Sequence, residues 1–162
     1  MSLSDLPIPK EERWFEDYAE GAAYEFEEKI GVSEADIIRF AKEFDPQYFH
    51  LDPEAAKNSI YKGLIASGGQ TVAVTFRLYI QNFLPGKASL GSPGMDEVRW
   101  FKPLRPGDTL RIRVTILSAK PSQSKNDRGT VTSLVETINQ KNEMIMSYKA
   151  INIMLKRHPC SL

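Results

Sequence analysis

Residues 67–86 read SGGQTVAVTFRLYIQNFLPG. In this stretch Val72, Phe76, Tyr79 or Ile80, and Phe83 recur at helical spacing. The run is apolar on most of its sides, which predicts a buried helix rather than a surface one. Gly68 and Gly69 stand at its head, and Leu84-Pro85-Gly86 close it, so the helix is placed at about residues 69–83.

On the C-terminal side of that helix the pattern changes. After Gly94 the stretches MDEVRWFKPL, DTLRIRVTILSAK, GTVTSLVETINQ and EMIMSYKAINIML read as strands. The second alternates cleanly, with Leu110, Ile112, Val114 and Ile116 on one face. PSQSKNDRG (121–129) and QKNE (140–143) read as the hairpin turns between them. On the N-terminal side, AAYEFEEKIGV alternates apolar and polar residues and predicts one more strand. SEADIIRFAKEF then predicts a helix, with Ser33 as N-cap, Asp36 at the capping-box position and Ile37, Phe40, Ala41 and Phe44 as its apolar stripe. Pro46 ends that helix and leaves Asp45 on the exit turn. A short helix follows at DPEAAKNS, with Asp52 as cap and Pro53 at its first position. Helices segregated from an antiparallel sheet make the fold α+β, with one curved sheet wrapped around the long helix.

At 162 residues the chain fits one domain. Residues 1–12, with Pro7 and Pro9, read as an irregular leader, 13–156 as the folded domain and 157–162 as a tail. The formal net charge is zero, which gives no support to a nucleic-acid partner, and Lys156-Arg157-His158 reads as solvated tail. No apolar run approaches the roughly 20 residues that span a bilayer, and the N-terminus has no apolar signal core. Cys160 is the one cysteine, which fits a reducing compartment and a cytoplasmic protein. The final Cys-Ser-Leu lacks the basic residue of a peroxisomal signal.

Two stretches could carry chemistry. In FDPQYFH, Asp45 precedes His50, the one histidine in the body of the chain. Neutral imidazole suits proton transfer near neutral pH, and a carboxylate can orient it. PQYF between them reads as a tight, non-helical bend that brings both side chains to one point. Spacing alone equally fits an aspartate that caps a turn and a satisfied, buried histidine. A metal site is disfavoured because no second histidine is available in the body of the chain. A Ser67–His50–Asp45 triad can be drawn, but the chain has no nucleophile-elbow pattern. In LIASGGQT, the glycines before a helix allow a carbonyl to approach unpaired amides, as an oxyanion hole requires. A packing turn explains them equally well. Arg105, in the turn after Pro103, could meet a phosphate at a cleft mouth or simply be solvated.

The block FAKEFDPQYFHLDPEAAKNSIYKGLIASGGQT resembles the hydratase signature of MaoC-like dehydratases, the hotdog-fold (R)-specific enoyl-CoA hydratases. ERWFEDYAEG and VRWFKPLRPGDTLRIRV resemble other segments of that family, so the likeness runs from about Trp14 to Leu155. It implies a hotdog fold and a homodimer or an assembly of dimers. It also implies catalytic Asp45 and His50, with the backbone amide of Gly68 as oxyanion donor. Gln47 takes the place of a family asparagine and Ser67 that of a family histidine, both beside the site. Phe76 takes the place of a pocket-lining serine. The activity implied is reversible hydration of a 2-enoyl thioester, with coenzyme A arriving as part of the substrate and no separate cofactor. Two other readings remain, a hotdog thioesterase and a non-catalytic acyl-thioester-binding or structural subunit.

Overall fold

The structure is a computed structural model that describes residues 6–159. The chain begins with short turns at Lys10–Glu12 and Phe15–Asp17, then lays down β1 (Ala23–Glu25) and β2 (Ile30–Gly31). Four helices follow: α1 (Glu34–Phe44), α2 (Tyr48–Leu51), α3 (Pro53–Ala56) and α4 (Gly68–Asn82). The chain ends in β3 (Gly94–Trp100), β4 (Thr109–Pro121), β5 (Arg128–Ile138) and β6 (Met144–Leu155). The sheet order is β1-β4-β5-β6-β3, with β2 also on β4, and every pairing is antiparallel.

The alternation along β4 survives into the fold: Leu110, Ile112, Val114 and Ile116 are all buried beneath α4. A bulge at Leu117 then shifts the register against β5 and leaves that side chain exposed. The stretch read as one strand at 22–32 is two. Tyr24 and Phe26 are buried, whereas Glu27, Glu28 and Lys29 separate β1 from β2 without pairing. Helix α1 starts as its sequence requires, with Ser33 Oγ accepting from Asp36 N and the Asp36 carboxylate accepting from Ser33 N. Its stripe is buried at Ile37 and Ala41 but runs out at Phe44, which is exposed and rests on Phe40.

Helix α4 is where the expected and observed environments differ most. Thr71, Thr75, Leu78 and Tyr79 form one buried face against the sheet. The other face, with Gly69, Ala73, Arg77 and Ile80, is open. Burial in a single chain is therefore one-sided, because the sheet wraps only one flank of the helix. Two side-chain hydrogen bonds set the helix on the sheet. Thr75 Oγ1 meets Thr137 Oγ1 at 2.8 Å, and Tyr79 Oη donates to Asn152 Oδ1 at 2.7 Å.

The C-terminal end of α4 is held by residues from the start of the chain. The Arg13 guanidinium donates to the carbonyls of Asn82 and Phe83, and Tyr18 Oη also donates to Phe83 O. Arg13 is buried, so a cation sits in a dry place at the negative end of the helix dipole. The leader is less irregular than expected: Leu6 is buried in the core, and Gly86 N donates to Lys10 O. The tail is also tied down as far as Arg157, which pairs with Asp17 at 2.6 Å. Cys160 lies outside the described residues.

Replacing Arg13 with Met keeps the stem but leaves those carbonyls without their charged donor. The expected loss is about 2 kcal/mol, in the range for hydrogen bonds made by a charged group. Urea unfolding should show a lower midpoint at an unchanged slope; a midpoint equal to wild type contradicts this account of the helix end.

Candidate active site

Asp45 is the last residue before Pro46 breaks the helical path. Its amide still donates to Ala41 O, so α1 fixes its backbone, while its own φ and ψ of −152° and 72° turn the chain away. Gln47 caps the next element. The segment read as a non-helical bend is in fact half helical, because Tyr48–Leu51 close one turn with His50 N donating to Gln47 O. That turn carries His50 inward, where it is 4% exposed and lies edge-on to Phe49.

The imidazole is fixed from both sides. His50 Nδ1 lies 2.7 Å from Ile65 O. A carbonyl oxygen only accepts, so Nδ1 carries the proton and Nε2 is the exchangeable position. Nε2 lies 3.3 Å from Asp45 Oδ2. Asp45 has two further partners: Ser67 Oγ donates to Oδ2 at 2.7 Å, and Gln47 Nε2 donates to Oδ1 at 2.8 Å. The Ser67 hydroxyl first, and the Gln47 amide second, hold the Asp45 carboxyl below its usual range; partial burial opposes them and His50 adds a smaller lowering. Ser67 also accepts from Gly69 N at 3.1 Å as the N-cap of α4. Its hydroxyl serves Asp45 and not His50, so the triad connectivity drawn from the sequence is not formed.

Asp45, Gln47, His50 and Gly68 share one cleft of about 500 Å³. Its buried walls are Ile65, Ala66, Thr71 and Leu104. Among the described residues Gly68 N–H donates to no protein acceptor, and it begins the helix, where the dipole is positive. Phe76 is not part of this lining; it stacks on Tyr148 with ring centroids 5.9 Å apart. Arg105 does not reach the cleft either. It donates to Tyr61 O at 2.6 Å and braces the loop before α4. The cation in the lining is Lys102, paired at the surface with Glu143. No group of three or more His, Cys, Asp or Glu side chains arranged to hold a metal ion occurs among the described residues.

Trp100 was not anticipated. Its indole, half exposed, lines the cleft and lies flat enough on Gly68 that a Cβ there would come within 3.0 Å of the ring. At Gly69 the nearest atom to such a Cβ is 3.5 Å away, an ordinary contact. A side chain at position 68 therefore needs the Trp100 ring to shift by a few tenths of an ångström, whereas position 69 has room for one. The signal available in the sequence was an aromatic residue just before Phe101-Lys102-Pro103, at the point where β3 ends.

One helix laid across an antiparallel sheet defines a hotdog-fold protein, here with a carboxylate and a histidine meeting in a cleft at the helix N-terminus. The MaoC-like domain model matches residues 16–141, and the chain belongs to that family. It is 38% identical over 128 residues to the uncharacterized protein YdeM of Bacillus subtilis, covering 79% of this chain and 89% of the relative. The MaoC-like dehydratase from Rhodospirillum rubrum is similar in structure, with a TM-score of 0.83 and 39% identity over 90% of this chain and 99% of that one. The R-hydratase PhaJ1 from Pseudomonas aeruginosa shares the fold, with a TM-score of 0.69 and 24% identity over 90% and 86% of the two chains.

Adding a methyl group at Gly68 must displace the Trp100 ring. Because Trp100 is half exposed, its ring can yield, and Gly68→Ala is expected to change stability by no more than about 1 kcal/mol. It should also change the emission of Trp100, read in a Trp14→Phe background that leaves one tryptophan. Unchanged emission contradicts the close packing of Trp100 on Gly68.

Proposed function

We propose that this protein adds water reversibly across the double bond of a 2-enoyl thioester to give a 3-hydroxyacyl thioester. The observation that carries the reading is the meeting of His50 Nε2 and Asp45 Oδ2, 3.3 Å apart, in the same cleft as the free amide of Gly68. A single water can lie within reach of both, giving its proton to one while the other holds it in place. As its oxygen bonds to C3, the pair takes up its proton and returns a proton to C2. The π electrons move onto the thioester oxygen. There the Gly68 amide and the positive end of α4 stabilise the developing charge. Because both bonds come from one side, addition is on one face of the double bond. Coenzyme A enters as part of the substrate, and the chemistry calls for no separate cofactor.

A second copy of the chain is the proposed partner. Strand β3 is a free sheet edge, and Trp100 and Phe101 at its end are 52% and 57% exposed while lining the cleft. A homodimer joined there shields both rings and narrows the cleft around a thioester arm. The family membership supports a dehydratase, and a 55-residue stretch is 40% identical to mesaconyl-CoA hydratase of Cereibacter sphaeroides, covering 34% of this chain and 16% of that one.

Crotonyl-CoA supplies the test. Loss of enoyl absorbance without release of free thiol is the expected result; thiol release in its place identifies a thioesterase. Asp45→Asn and His50→Ala should each lower the rate by about 100-fold or more, the range for removing a positioned acid or base. Near-full hydration by either folded variant sinks the pair.

A further inference from the structure

We propose that Ser67 is the positioning residue that fixes Asp45 as a carboxylate, leaving His50 Nε2 to carry the proton between water and C2. This rests on the hydratase reading above and assigns roles within it.

The serine hydroxyl has one proton and a defined direction. Oγ is occupied as acceptor by Gly69 N–H at 3.1 Å, so its proton goes to Asp45 Oδ2 at 2.7 Å. The result is a relay from the N-terminus of α4, through the capping serine, onto the carboxylate. Gln47 loads the other oxygen at 2.8 Å. Each carboxylate oxygen thus receives a hydrogen bond from an uncharged donor, and protonating either one weakens these charge-assisted bonds. The donors come from two separate elements, the turn before α2 and the cap of α4, so neither depends on the other.

The groups that titrate around this cleft are few. His50 faces Asp45 from α2, Tyr61 lines the wall from the loop before α4, and Lys102 lines it from the segment after β3. Lys102 is paired with Glu143, which leaves His50 as the ionisable neighbour in direct reach of Asp45. His50 in turn has Nδ1–H committed to Ile65 O, so proton exchange is confined to Nε2. The step balances on that atom alone. The water O–H bond breaks and Nε2–H forms as C3–O forms. Nε2–H then breaks as C2–H forms and the enolate collapses to the thioester. The imidazole ends neutral, and Asp45 remains an anion that orients water and stabilises the transient imidazolium.

Ser67→Gly separates this role from capping, because glycine is itself tolerated at an N-cap while lacking the hydroxyl. Ser67→Thr keeps the hydroxyl and tests rescue. The Asp45 carboxyl carbon is followed by NMR against pH in the full-length protein, its signal assigned by its absence in Asp45→Asn. The kcat/KM of crotonyl-CoA hydration is measured for each variant near neutral pH. Removing a donor to the charged form raises the carboxyl pKa. The NMR midpoint should therefore move to higher pH in Ser67→Gly and return in Ser67→Thr. His50→Gln should lose more activity than Asp45→Asn. An NMR midpoint that stays at the wild-type position overturns the proposal. So does an Asp45→Asn loss equal to that of His50→Gln. A purely structural serine lowers the thermal midpoint and leaves the carboxyl midpoint in place. If wild type hydrates nothing but its carboxyl midpoint still moves in Ser67→Gly, the reaction reading has failed and the Ser67–Asp45 linkage has not.

Discussion

Helix α4 must cross the sheet with its first amide beside Asp45, and its two ends are held by different chemistry. At the C-terminal end a buried cation and a phenol gather the last carbonyls. At the N-terminal end a serine caps one amide and passes the hydrogen bond on to a carboxylate. In both places the exposed ends of the peptide dipoles are answered by side chains from distant segments. The segments before β1 and after α1 are thereby tied to the same rod, and the geometry of the cleft follows from where that rod lies.

Between the ends, the sheet face beneath α4 is more polar than an average core. Thr75 with Thr137 and Tyr79 with Asn152 form satisfied pairs, whereas Tyr148 Oη is buried with no hydrogen-bond partner among the described residues. Apolar contact alone lets a helix slide or roll at small cost. Directed hydrogen bonds to particular strand positions do not, because a shifted helix strands both members of each pair. The stack of Phe76 on Tyr148 fills the flank of this region rather than the cleft, so the aromatic at position 76 bears on how the helix sits.

Much of this was legible in the sequence, and the exceptions have physical reasons. The clean alternation from Leu110 to Ile116, the capping box at Ser33 and the stop at Pro46 each act locally, so local reading finds them. The resemblance placed Asp45, His50 and Gly68 on one site, and they do share a cleft. What could not be read were contacts between residues far apart in the chain. Arg13 meets Asn82 and Phe83, and Trp100 lies on Gly68. The one-sided burial of α4 was hidden for a similar reason: an apolar run does not say which of its faces a distant sheet will cover. Arg105 shows the limit from the other side, since a turn arginine can brace a loop or bind an anion with the same neighbours in sequence.

The bulge in β3 has a consequence for the free edge of the sheet. Between Asp96 and Arg99 the pairing with β6 slips by a residue, and Glu97 takes a φ of 51°. A strand edge broken in this way offers two short ladders in place of one long ladder. An extended peptide met by chance can zip along only one of them and is then left with unpaired amides at the break. A strand with a matching interruption can use both. The edge therefore rejects indiscriminate β-addition, which is the hazard that an open sheet margin otherwise presents, without being closed to a partner of the right shape.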